Sequence, residues 1–299
     1  MALLIITTIL WAFSFSLIGE YLAGSVDSYF SVLMRVGLAA LVFLPFLRTR
    51  GQSPRTIVLY MLVGAMQLGI MYLLAFRAYL YLTVSEFLLF TVFTPLYITL
   101  IYDLLSGRKL RWGYLLSAAL AVLGAAIIRY DKVSDHFWTG LLLVQLSNLC
   151  FAIGMVGYKR LMEVRPMPQH NAFAWFYVGA FIVAVAAWFM LGNPQKLPTS
   201  TLQWSVLVWL GVVASGLGYF MWNYGATQVD AGTLGIMNNV HVPAGLLVNL
   251  AIWQEQPHWP SFISGALVIL ASLWVHRRWV APHSGQTADD RRRGSAQSE

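Results

Sequence analysis

The chain has 299 residues, of which 59% are hydrophobic and only 10% charged, with a mean hydropathy of +0.67 and a net charge of +7, whereas a soluble domain carries about a quarter charged residues. This composition excludes a soluble globular protein. The few charges cluster and leave windows of about 20 residues with none, the length that crosses a ~30 Å hydrocarbon core as a helix. The one cysteine, Cys150, cannot form an internal disulfide.

Apolar runs between charged or Pro/Gly/Asn breaks predict ten helices, over 2–20, 29–47, 56–76, 84–104, 112–129, 138–158, 171–191, 203–226, 231–253 and 261–279. The first reads as a retained helix, because it has no basic n-region and a long apolar run before Glu20. With the N-terminus placed in the cytoplasm, Arg48, Arg50, Arg55, Arg108, Lys109, Arg111, Lys159, Arg160, Arg165, Arg277, Arg278, Arg291, Arg292 and Arg293 all fall inside. The outer loops hold only Arg77, Arg129, Lys132 and Lys196. This excess predicts both termini in the cytoplasm and accounts for the basic charge without a nucleic-acid partner. Residues 281–299 are polar and predict a disordered cytoplasmic tail.

The sequence repeats itself. A slide of 147 residues brings Gly64 and Tyr72 onto Gly211 and Tyr219, and one of 148 brings Ala78 and Pro95 onto Ala226 and Pro243. Trp11 and Ala12 meet Phe151 and Ala152 at 140. The repeat predicts two five-helix halves, 1–132 and 133–280. Five is odd, so the second copy sits inverted, an arrangement found in secondary transporters with a site between the halves near the midplane. The expected fold class is thus an all-α polytopic membrane protein of ten transmembrane helices in two inverted five-helix repeats.

The segments LWAFSF (10–15), LMRVGLAALVFLP around Arg35, TPLYITLIYDLLSGRKL around Pro95, GLGYFMWNYGATQV, HVPAGLLVNLAIWQE and ISGALVILASLWV resemble the two EamA-type repeats of the drug/metabolite transporter superfamily. Within it the chain resembles the YddG-type bacterial exporters of aromatic amino acids. One departure is Gly107-Arg108-Lys109, where the family usually has a Gly-Glu-Arg-like turn; the second copy keeps Glu255 there. The resemblance implies ten helices in a bacterial inner membrane and export of Phe, Trp, Tyr or related neutral metabolites by alternating access, without a cofactor or metal.

Polar residues deep in a span are costly and face a protein interior or a wet cavity. In the ninth span Asn238, His241, Gly245 and Asn249 form one stripe, interrupted by the helix-breaking Pro243. Gln145 and Asn148 repeat that spacing in the sixth span, as do Ser215, Tyr219 and Trp222/Asn223 in the eighth. The other half offers Trp11, Ser14 and Phe15, then Tyr72, Phe76 and Tyr79, then Phe90, Phe93, Thr94 and Tyr97 around a second helix-breaking proline, Pro95. Each of these residues reads either as interhelical packing or as lining a cavity for a largely apolar molecule with polar ends. His241 is expected to be a neutral hydrogen-bonding ligand. Arg35 is either a clamp for a substrate carboxylate or a structural residue, and the resemblance favours structure. Glu86 and Arg77 are expected to form an interface ion pair. Small residues repeat at Gly113, Ser117, Ala121 and Ala125 and at Ser261 and Gly265, a pattern that packs helices closely within a monomer or in a weak dimer.

An intramembrane enzyme is disfavoured, since the chain has no HExxH, no Asp-rich metal loop and no serine with a plausible base. A proton-driven pump for organic cations needs a buried carboxylate, and a sugar-phosphate or nucleotide carrier needs several cavity cations. Neither set is present, which leaves neutral or zwitterionic small molecules as the expected substrates.

Overall fold

A computed structural model describes residues 2–105, 116, 119, 120, 123, 135–229, 237, 238, 240, 244–254, 259, 260, 263, 264, 267, 268, 270, 271 and 274. Among these residues the chain is helical with no strand. Seven helices are long and apolar enough to cross a membrane: α1 (Ala2–Tyr21), α2 (Ser28–Phe46), α3 (Pro54–Ala78), α4 (Val84–Tyr102), α5 (His136–Val164), α6 (Gln169–Leu191) and α7 (Thr201–Thr227). A shorter apolar helix, α8, covers Ala244–Trp253. Helices α5 to α7 correspond to the sixth to eighth predicted spans, and α8 to the end of the ninth. Most of the predicted fifth span, including Gly113, Ser117, Ala121 and Ala125 of its small-residue face, lies outside the described residues, as do His241, Pro243, Ser261, Gly265 and the tail.

The helices start where local chemistry satisfies their free N–H groups. Asp27 accepts from Phe30 N, and Ser53 from Thr56 N with Pro54 at the first helical position. Thr83 with Glu86, and Ser200 with Gln203, form reciprocal capping boxes. Glu86, expected at an interface ion pair, thus caps α4 through its carboxylate on Thr83 N, while the Arg77 guanidinium lies 5.9 Å from the Tyr29 ring centre. Helix α5 runs past the predicted end at 158 because Lys159 and Arg160 both find partners. Lys159 Nζ donates to the carbonyls of Ala226 and Val229 at the end of α7, and Arg160 pairs with Glu163 at 3.0 Å. Pro95, predicted to break its helix, only tightens it into a short 3₁₀ turn, Thr91–Phe93. The proline cannot donate to the Thr91 carbonyl, and the Thr94 hydroxyl takes that acceptor at 2.7 Å.

The bundle is apolar outside and polar inside. Phe189 and Met190 are 82% and 80% exposed, whereas Ser16, Gln67, Ser215, Asn223 and Asn249 are fully buried. In water this exterior would aggregate; against hydrocarbon it is the stable arrangement. Asn249 shows how interior polarity ties helices together: its oxygen accepts from Ser16 of α1 and its amide donates to Ser85 of α4.

Matching features recur at the sequence offsets. Both α3 and α7 contain a π-helical segment: Ala65–Ile70, just after Gly64 and before Tyr72, and Leu210–Leu217, which includes Gly211 and ends just before Tyr219. A Cβ on Gly64 would overlap the Phe176 carbonyl of α6, and one on Gly211 would crowd Leu38 and the Arg35 carbonyl of α2. The Thr7 hydroxyl of α1 donates to the Gly218 carbonyl at 3.3 Å, and the Ser147 hydroxyl of α5 to the Met71 carbonyl at 3.1 Å. Thr7 and Ser147 are 140 residues apart and Met71 and Gly218 are 147 apart, so the two bonds are equivalent under the repeat.

Candidate substrate cavity

The ends of the bundle differ. One, marked by Lys196, carries the ends of α1 and α3 and the starts of α2, α4 and α7; the Lys196 carbonyl accepts from Asp27 N, and Gln203 donates to the Tyr21 carbonyl. The other, marked by Arg48, is filled with aromatic rings. There Phe173 stands 5.2 Å from Tyr158, 4.8 Å from Phe176 and 5.4 Å from Phe220, and Phe43 stacks on Tyr177 at 5.3 Å. Above this plug, Gln67 of α3 and Asn223 of α7 exchange two amide hydrogen bonds at 3.1 and 3.3 Å.

A narrow cavity of about 80 Å³ lies in the half nearer Lys196. Trp11, Ser14, Phe15, Tyr72, Phe76, Tyr79, Thr94, Asn148, Tyr219, Asn238 and Arg35, all singled out in the sequence, line it. So do Ile18, Met71, Ala75, Phe87, Thr91, Ser147 and Phe151, most of which are ordinary apolar span residues. Ser147 and Thr91 were legible only as polar neighbours of Asn148 and Thr94.

Four candidates point elsewhere. Tyr97 donates to Gln145 at 3.1 Å and Gln145 to the Phe90 carbonyl at 3.3 Å, so these three close on one another. Asn223 is taken up by Gln67. The sequence reading missed Gln67 altogether.

The π-helical segment of α7 holds residues of the cavity wall in place. Its i→i+5 register frees carbonyls, which side chains from other helices take up: Trp11 Nε1 donates to Ala214 O at 3.0 Å and the Tyr177 hydroxyl to Ser215 O at 2.6 Å. This fixes Trp11, whose ring lies 4.5 Å from Tyr219 and 5.0 Å from Trp222. It also presents the Ser215 hydroxyl to Arg35 Nε at 2.6 Å and to the Tyr72 hydroxyl at 2.9 Å. Arg35 is 3% exposed, so it does not snorkel, and its guanidinium lies 4.2 Å from the Tyr72 ring centre. Desolvated stacking of this kind contributes about 2 kcal/mol. Arg35 lines the cavity, and its terminal amino groups have no hydrogen-bond partner among the described residues.

Comparison with known proteins fixes what this architecture belongs to. The model of the EamA-like transporter family matches residues 1–130 and 138–277. The chain belongs to the EamA-like transporter family. It is therefore a multi-pass membrane transporter of a small molecule, built from two repeats, and not an enzyme. It is 83% identical over all 299 residues, covering 100% of both chains, to a protein of Escherichia coli named biotin transporter. It is 56% identical over 279 residues, covering 93% of this chain and 97% of the relative, to one of Pseudomonas aeruginosa named probable biotin transporter. A solved structure titled only as a crystal structure of protein matches with a TM-score of 0.64 at 17% identity, covering 92% of this chain and 95% of that one, which bears on the fold alone. These relatives overturn the expectation of aromatic amino acid export: full-length identity of 83% outweighs a likeness carried by loose motifs.

Proposed function

We propose that this transporter carries biotin across the bacterial inner membrane by alternating access. The observation that carries this reading is end-to-end identity of 83% with a protein named biotin transporter. The chemistry of the cavity supports it. Biotin has an apolar body and methylene chain, a carboxylate at one end and a ureido group with two N–H donors and one acceptor at the other. The walls supply the Trp11, Phe15 and Tyr219 rings, the Arg35 cation, and two amides. Asn148 uses its amide N–H on the Phe90 carbonyl and keeps its oxygen for a ureido N–H, while Asn238 Nδ2 has no partner among the described residues.

The same reading covers the architecture. Ten spans, in five-helix halves 1–132 and 133–280 of opposite orientation, are supported by the paired π-helical segments and the equivalent Thr7 and Ser147 bonds. The conformer described is closed by the aromatic plug at the Arg48 end, and the alternate one exchanges the packing of the two halves. The basic residues Arg48, Arg50, Arg55, Lys159 and Arg165 at that end support its placement in the cytoplasm.

Purified protein in proteoliposomes is expected to show saturable counterflow of labelled biotin that unlabelled biotin inhibits and phenylalanine does not; no biotin counterflow would sink the reading. Orientation is tested separately in a Cys150→Ser background. Ser53→Cys should react with an impermeant thiol reagent only from the cytoplasmic side and Gln195→Cys only from outside, both positions being exposed. Labelling of Ser53→Cys from outside would reverse the orientation.

A further inference from the structure

We propose that Arg35 makes the cavity selective for monocarboxylates that lack an amine, so that the carrier sorts candidates by charge before it sorts them by shape. The inference rests on the reading of this cavity as the transport site and names the substrate class it accepts. Among the described residues that line the cavity, Arg35 is the one charged group and there is no Asp or Glu. A guanidinium removed from water with no counter-ion among the described residues is costly, and the cost is relieved by an anion that meets it in the cavity it lines. Ser215 takes up Nε, and no described residue takes up the two amino groups, which are left for a ligand. A carboxylate is planar and bidentate and matches that fork.

An ammonium group fares badly in the same place. Among the described residues that line the cavity no acid receives it, and the Arg35 guanidinium, 4.2 Å from the Tyr72 ring centre and 5.9 Å from that of Phe76, repels a second cation beside those rings. Zwitterionic amino acids therefore meet like charge on one end of the molecule while their carboxylate is being held. This gives a physical reason for the failure of the amino acid expectation. It also predicts that apolar acids unrelated to biotin by shape will bind.

The test compares ligand pairs that differ only in charge. Purified protein in detergent is titrated with 3-phenylpropionate and phenylalanine, and with biotin and biotinamide, following tryptophan fluorescence, to which Trp11 in the cavity wall reports. The acid of each pair is expected to bind about tenfold more tightly or better, and Arg35→Gln should remove both preferences. Equal binding of acid and amide by the wild type, or of phenylpropionate and phenylalanine, overturns the proposal whether or not the variant folds. So does failure of all four to bind. If the acids are preferred while labelled biotin shows no counterflow, charge selection stands and the biotin reading alone falls.

Discussion

Gly64→Ala is expected to destabilise the folded protein by about 3 kcal/mol, toward the upper end of the cost of overpacking. A Cβ at Gly64 has no side chain to push aside, because it would overlap the Phe176 backbone carbonyl of α6. Gly179 of α6 meets the Met61 carbonyl of α3 in the same way, so one helix pair is pinned by two backbone approaches that only glycine permits. Gly179→Ala should match Gly64→Ala. Gly211→Ala should cost less, about 2 kcal/mol, because the added Cβ would stand 2.8 Å from Leu38 Cβ and 3.2 Å from the Arg35 carbonyl, a smaller overlap than at Gly64. At Gly51, where φ is +79° and nothing lies within 4 Å, alanine should cost only the backbone strain of about 1 kcal/mol. Thermal unfolding of the detergent-solubilised variants gives the ranking. A Gly64→Ala protein as stable as wild type would show that α3 and α6 do not approach this closely.

The amide pair between α3 and α7 predicts a different pattern, one of coupling. Gln67 and Asn223 are both fully buried and each satisfies the other. Gln67→Met or Asn223→Leu alone leaves an amide without its partner and should cost about 2 kcal/mol. Together they remove both polar groups, so the double variant should be more stable than the sum of the singles by about 1 kcal/mol, within the range measured for polar pairs between membrane helices. Strict additivity in the double-mutant cycle would show that the pair is not a unit.

Much of this protein is written in its sequence, and the reason is the solvent. A bilayer demands about 20 apolar residues per helix and satisfies no free backbone group, so α1, α2, α6 and α7 appear almost where hydropathy and capping residues put them. The cost of burying amides and hydroxyls made Ser14, Asn148, Asn238 and Arg35 visible as interior residues before any contact was known. The repeat was legible because Gly64 and Tyr72 recur as Gly211 and Tyr219 in positions where both backbone approach and a cavity wall need them.

Tertiary structure decided what each polar residue faces. Phe90, Tyr97 and Gln145 belong to the same stripes as the cavity residues, yet the rotation of α4 against α5 turns them toward one another. Gln67 carried the same signal as Asn148, an amide within an apolar run, but its partner stands 156 residues away and only the fold shows it. The π-helical segments were invisible because their register holds only where Trp11 and Tyr177, from other helices, take the freed carbonyls. The role proposed for Arg35 rests on the same kind of long-range fact. A lone arginine in a span reads as structural or functional alike, and only the fold shows that the Ser215 hydroxyl, 180 residues on, takes up its Nε at the cavity wall.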